Sequence, residues 1–581
     1  MLSYQRTLLI HDKGLSTIAD QCYELATRSM NQARLDFDEV QFAAYPWPEL
    51  QGYSSVVLSL GQGVLLSRGQ SARINSFVES GGGLILYQPY WDYYLASLIG
   101  TEKLAESPQW IEDTESIEFV YEFVPGIQGL TIPISDIRLE LSPKNVTIVA
   151  QSASGEPVAW INKHKRGRVI VFNSSLFRQL NACGLLVEAI LRAQPIAIRP
   201  LANIGLIHID DFPAPLDSSK REPVYSEYGM SMVEFYHQVW LPDLLALAKR
   251  FGIEYTFLIA FNYNHKIRAP FTFEEWESVA LADSDIPFPL LAARLVSKEH
   301  ELGLHGYNHQ SFTLDQWKDK EQMQLALKAV LDLWQKEDLG GLPQTFVPPN
   351  NQYDQSTIDV LIAECPSLTS ICGSYFELMH NGKVRDIGPE PWGEQLLCLP
   401  RNTSGYQIDK EFNALSMLSM LSAMGAWHHF FHPDDISDIP LASAASTTDY
   451  YRNQDVKGWK NKDPNNQMAT GLYDELVEWF EFTKKHYPWF RYTSTKKAVP
   501  IMKSYLNSRP TTRFTSKGLH LSNGQNLAHG QDGYYEIVVE NTTGLSLLTN
   551  ETVEIVSIVK SANQTRYVVS TLAANIEFEF S

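Results

Sequence analysis

The sequence predicts an α/β protein of several domains. Three observations carry this reading. Strands and helices alternate up to about residue 505, the remainder turns to short β-strands, and 581 residues exceed what one hydrophobic core organises. The expected division is 1–198, a doubly wound α/β domain; 199–504, a second α/β domain; and 505–581, a small β-sandwich.

In the first domain, Thr7–Ile10 and Ser55–Leu60 read as buried strands and the stretch around Ala19–Arg34 as a helix. A helix over Gln70–Ser80, the turn Gly81-Gly-Gly83 and the strand Leu84–Tyr87 follow. The strand Gly167–Asn173 leads into a helix at Leu185–Arg192. This alternation predicts a parallel sheet. Gly61-Gln-Gly63 is a tight turn, because two glycines without the rest of a fingerprint do not make a phosphate loop. The pattern resembles the flavodoxin-like class I glutamine-amidotransferase fold. That family's enzymes place a nucleophilic Cys at a strand-to-helix elbow, and Gln88-Pro-Tyr-Trp91 stands there instead. Without a thiolate at the elbow the domain is expected to be catalytically silent.

In the second domain, strands at Ile204–Ile209 and Tyr255–Phe261 alternate with helices at Pro242–Arg250 and Lys320–Lys336. Pro242 suits the first turn of its helix, where no backbone donor is needed. Beyond 505, Tyr534–Glu540, Val553–Val559 and Arg566–Thr571 are β-branched and aromatic runs separated by Asn, Gly and Ser, the pattern of a sandwich.

Composition bounds the function. Net charge of −20 opposes nucleic acid and anionic membrane surfaces and is compatible with a neutral or cationic glycan. Five cysteines without a C-x-x-C pair exclude a disulfide framework and a cysteine-based zinc site. The first residues lack the apolar core of a signal peptide, and no window has the length of a membrane span. The chain as written is therefore expected to be soluble and unexported, or periplasmic or extracellular had its N-terminus been trimmed.

Three segments carry metal-ligand and acid/base residue types: Ile207-His-Ile-Asp-Asp-Phe-Pro213, Leu304-His-Gly-Tyr-Asn-His309 and Trp427-His-His-Phe-Phe-His-Pro433. Each adjoins an apolar strand, and in a β/α barrel residues just past the strand ends share one rim. Amide hydrolysis needs a water made nucleophilic and a polarised carbonyl. Two His and one carboxylate can hold a zinc-like ion with positions left open for both, while a second carboxylate and another His move protons. Asp434-Asp435, the other Asp-Asp pair, in Pro433-Asp-Asp435, is read as a turn.

This region, about 300 of the 581 residues, resembles NodB-type polysaccharide deacetylases of carbohydrate esterase family 4. It is similar to the deacetylase of the Pel exopolysaccharide pathway and to the bacterial domain of unknown function family 2194. The resemblance implies a distorted (β/α) barrel that removes N-acetyl groups from amino sugars of a polysaccharide. It implies Asp210 as general base, Asp211, His305 and His309 as ligands of a divalent metal, zinc foremost, and His432 as catalytic acid. Gly306 replaces the hydroxyl residue of the family's H-[ST]-x-x-H motif. Val347, in Phe346-Val-Pro-Pro-Asn350, replaces the Arg that orients the base, with Arg401 or Arg385 as substitutes from another loop. His428 shares the face of His432 if its run is a strand, and His429 competes for the acid role. Tyr307 and Trp392 are candidate sugar-stacking rings, and His208 is a packed residue. The expected partners are a polysaccharide or oligosaccharide substrate and exopolysaccharide-pathway proteins. Two other readings stay open: a non-catalytic glycan-binding or scaffold protein, and a metal-dependent amidase or peptidase.

Overall fold

A computed structural model describes residues 4–113, 115–213, 218–279, 281, 284–374, 385–408, 412–440, 451–460, 470–515, 518–525, 532–548 and 552–581. It is a mixed α/β structure with two large sheets and smaller ones.

The first large sheet runs in the order Phe37–Gln41, Thr7–His11, Ser55–Ser59, Gly83–Leu86, Gly167–Phe172, Pro157–His164, Thr147–Ser152, Ile117–Phe119, Thr131–Ile132. The first five strands pair in parallel, as the strand–helix alternation predicts; four are buried apolar runs, and the edge strand Phe37–Gln41 is half-exposed and largely polar. The other four extend it in antiparallel fashion, an addition that the helix–strand alternation did not foretell. Helices Thr17–Gln32 and Arg68–Glu79 start at the N-caps Ser16 and Ser67, each accepting a hydrogen bond from the backbone of its first turn.

The second large sheet positions the site. Its order is Gly388–Glu390, Gly393–Cys398, Ser370–Ile371, Thr345–Phe346, Glu301–Leu304, Thr256–Ile259, Ile204–Phe212, Ala426–Phe431, Thr403–Ser404. All pairs are parallel except the hairpin 388–398. Where the resemblance implies a barrel, the described strands form a curled sheet whose two edge strands do not pair with each other.

Both expected domain boundaries fall inside elements. Strand Ile196–Leu201 spans 198 and pairs antiparallel with Gly533–Glu540, so it belongs to the four-stranded C-terminal sheet with Gln564–Thr571 and Glu554–Lys560. Ile198 packs there with Ile537, Val539 and Val569, and that burial draws the strand out of the second domain. Helix Thr495–Asn507 runs through 504, and its own Tyr505 is buried. Opposing the four-stranded sheet is a three-stranded one, Thr511–Phe514, Gly518–Ser522 and Ile576–Glu579, and the two share the core of Leu519, Leu521, Tyr535 and Phe578. Among the described residues, no helix is long and apolar enough to cross a membrane.

Candidate metal centre

Adjacent residues of a regular strand point to opposite faces, so Asp210 and Asp211 could not serve one cleft without a distortion. The strand supplies it. Its register against Thr256–Ile259 shifts between Ile209 and Phe212, and Asp211 has φ 54°. Such a bulge re-aims a side chain. Positive φ is uncommon outside glycine and clusters at functional positions, and His309 shares it at φ 54°. Between them, Gly306 has φ 83°, and a Cβ there would meet Pro349 Cγ at 3.1 Å, which accounts for glycine where a hydroxyl residue was anticipated.

The three expected ligands meet. Asp211 Oδ1 lies 3.2 Å from Nε2 of both His305 and His309. Their ligand atoms all lie within 4.8 Å of one another. His305 Nδ1 faces the Val347 carbonyl at 2.8 Å; as an N–H donor it leaves the Nε2 lone pair toward Asp211. Val347 thus contributes its backbone where the family motif has a side chain. Buried Asp211 Oδ1 has no hydrogen-bond partner, an orphaned atom that a cation would satisfy. Burial alone would raise the Asp211 carboxyl, yet a proton on His305 or His309 beside it holds it well below the usual range. Burial pushes His309 down to about 4, keeping it a neutral imidazole fit to ligate. Two imidazole nitrogens and one carboxylate oxygen suit a zinc-like divalent ion with open positions.

Asp210, 2% exposed, faces a different partner. Its Oδ2 accepts from Arg401 Nη1, and Arg401 Nη2 donates to Asn351 Oδ1. The Arg401 guanidinium lies 3.8 Å over the Phe430 ring, which locks its plane. Arg385 instead stacks on Tyr353 at 3.7 Å.

His432 follows the strand Ala426–Phe431 directly, with Nε2 at 3.9 Å from Asp210 Oδ2 and Nδ1 at 3.3 Å from Asp435 Oδ1. Arg452 Nη1 donates to Asp435 at 2.6 Å. Burial and Arg452 oppose protonation of His432, but Asp435 and Asp211 outweigh them and its pKa lies above the ordinary histidine value. Burial would raise Asp435; Arg452 and His432 hold it at about 2. The expected turn at Pro433-Asp-Asp435 thus also carries a partner of His432. The i, i+3 spacing from that histidine was the signal in the sequence.

The other two histidines of the run go elsewhere. His429 sits 2.9 Å from Thr403 Oγ1 and packs on Trp479. His428 Nε2 lies 3.1 Å from His208 Nε2, one layer deeper. Tyr307, expected as a stacking ring, is 1% exposed, donates to the Thr272 carbonyl at 2.7 Å and packs on Phe271 and Phe273, so a sugar has no access to it. Trp392 is half-buried, edge-on to Tyr353. Tyr263, which the sequence reading missed, stacks on His309 at 5.8 Å.

The first domain shows no reactive thiol among its described residues. Cys22 donates to Gln88 Oε1 at 3.2 Å, and burial pushes it up to about 12 and Cys183 up to about 11.

The family model described as uncharacterised protein conserved in bacteria (DUF2194) matches residues 9–550. The chain belongs to this family. No curated protein matches it. Solved structures that resemble parts of it include a β-galactosidase from Bacillus circulans sp. alkalophilus, at 14% identity and TM-score 0.25, covering 34% of each chain. An exo-β-1,4-mannosidase from Opitutaceae bacterium strain TAV5 matches at 14% and 0.23, covering 29% of this chain and 31% of that one. A 4-α-glucanotransferase from Thermococcus litoralis matches at 12% and 0.30, covering 51% and 40%. The chain thus spans about a third of the length of the first two.

Proposed function

We propose that this protein is a metal-dependent hydrolase that removes N-acetyl groups from amino sugars of a polysaccharide. Asp211, His305 and His309 hold a divalent ion, zinc foremost; when bound, such an ion polarises the acyl oxygen and lowers the pKa of a water to about 7. Asp210, oriented by Arg401, takes the proton of the attacking water. His432, whose pKa the neighbouring Asp435 raises, faces Asp210 and delivers a proton to the leaving amine. The observation that carries the reading is the division of labour between neighbouring carboxylates: Asp211 faces two imidazoles while Asp210 faces a guanidinium and His432. Glycan binding alone would need neither Asp210 beside the ligands nor the His432–Asp435 pair. A peptidase or amidase would use the same groups on another acyl donor, and substrate separates the two. The test is acetate release from N-acetylated oligosaccharides and from N-acetylated peptides by zinc-loaded protein. Release from the glycan alone, lost on chelation, is expected; release from the peptide alone, or from neither, overturns the reading.

A further inference from the structure

A second feature, sharing no residue with this cleft, lies where the N-terminal sheet domain, the central domain and the C-terminal sheet meet. Five buried charges form a chain: Arg192 and Arg566 share Glu188, Arg566 also reaches Glu536 at 2.9 Å, and Glu536 binds Arg199 at 2.8 Å. Three guanidinium groups face two carboxylates, which leaves one positive charge unmatched in a dry interior, a costly arrangement.

At the edge of this chain opens a cavity of about 170 Å³, lined by Arg192, Arg566, Lys485, Lys560, His486 and Gln564, and also by Glu122. Lys485 and Lys560 form no ion pair with any described residue. Burial and Lys485 keep His486 below its usual pKa, so it presents a neutral ring. The Glu122 carboxylate is engaged by the backbone N–H groups of Gly126 at 2.6 Å and Gln128 at 3.2 Å. Gln564 is 6% exposed, and its amide Nε2 has no hydrogen-bond partner. Chain and lining together hold five cations against three carboxylates, a local surplus of two positive charges in a protein of net charge −20.

We propose that this cavity binds a phosphate-sized oxyanion. A dianion balances the surplus, accepts from the orphaned Gln564 amide and is held by Lys485 and Lys560 at the rim, the charge-assisted bonds that favour phosphoryl oxygens. The lining residues come from all three units, so the anion fastens them together. The shared chemistry is a phosphoryl group, whether free phosphate or one borne by a sugar.

Thermal unfolding of the full chain with inorganic phosphate, with glucose 6-phosphate and with chloride at matched ionic strength tests this. A saturable rise in Tm with phosphate beyond chloride is expected, because a ligand of the folded state alone stabilises it. The response should weaken at least roughly tenfold in apparent Kd in a Lys485→Gln/Lys560→Gln variant, whose changes are exposed and leave the fold intact. Gln564→Leu should weaken it too. Saturation by the sugar phosphate as well identifies a glycan-borne group; saturation by inorganic phosphate alone identifies the free ion. No saturable response in wild type, or an equal one in the variants, overturns the site. Glycan turnover is not read, so this result is independent of the cleft's activity.

Discussion

Two groups of three ligand-type side chains lie one layer apart in the central sheet. Asp211, His305 and His309 stand at the strand ends, and His208, Cys372 and His428 lie beneath them. Spacing is alike, since the members of each group offer ligand atoms within 4.8 Å. Charge and access differ. The upper group has a carboxylate held ionised and a half-buried imidazole, His309, facing out. The lower group is fully dry, its thiol pushed well above the ordinary range by burial, its two imidazoles pushed far below theirs. Its contacts are those of neutral hydrogen bonding: His208 Nε2 lies 2.7 Å from Thr495 Oγ1 and 3.1 Å from His428 Nε2. Arg401, the cation on Asp210, also raises the cost of a second positive charge there. On the proposed reading, a carboxylate that stays charged and an open edge are what set the upper group apart from packed core as a candidate metal site.

The sharpest way to break this comparison is to count metal in variants of both layers. Asp211→Ala or His305→Ala should take zinc from one ion per chain to nearly none, because two remaining ligands hold zinc poorly. Cys372→Ser and His428→Gln should leave the count at one. Elemental analysis showing that Cys372→Ser loses an ion would move the site down a layer.

Next in size is Asp210→Asn, which keeps shape but cannot take a proton. Acetate release should fall by roughly 10²–10⁴ while metal content holds. Equal loss of metal would make Asp210 a ligand and merge the two roles. Asp435→Asn should cost less, about tenfold at neutral pH, the low end for acid catalysis. Since Asp435 raises His432, its loss lowers that pKa, and the limb on which the acid deprotonates should move to lower pH. A rate profile that merely shrinks without moving would assign Asp435 to scaffolding.

The smallest effect concerns the lower layer and stability. Burial first, then neighbouring cations, depress His208 and His428 below 6.5. For such groups the unfolded chain binds more protons below pH 6.5, so the stability they contribute is whole above that pH and is lost as pH falls toward their folded values. Denaturant unfolding should weaken between about pH 6.5 and 5, and His208→Asn should flatten that slope. An unchanged slope would mean the layer is not neutral.

The C-terminal sheet bears on any attempt to isolate the centre. Cutting at 504 severs helix Thr495–Asn507, exposes the edge of Ile196–Leu201 and strands Arg199 without Glu536. Local pattern marked the β-rich composition after 505, but pairing across more than 300 residues leaves no local trace, which is why the boundary at 198 cut a strand.

What the sequence by itself determined was the strand–helix alternation and the residue types of the centre. Asp210-Asp211 close an apolar strand, His305 and His432 directly follow one, His309 lies four residues beyond His305, and strand ends in a parallel sheet converge. Only the tertiary structure decided which neighbour each one meets. The bulge at Asp211 turned two successive carboxylates to one cleft, and Arg401 rather than Arg385 reached Asp210. Tyr307 went into the core and Asp435 went to His432. The reason is physical: residue type and spacing fix what a side chain can do and which way a short element faces. Partner choice depends on register, backbone distortion and burial, and these are settled when distant segments pack together.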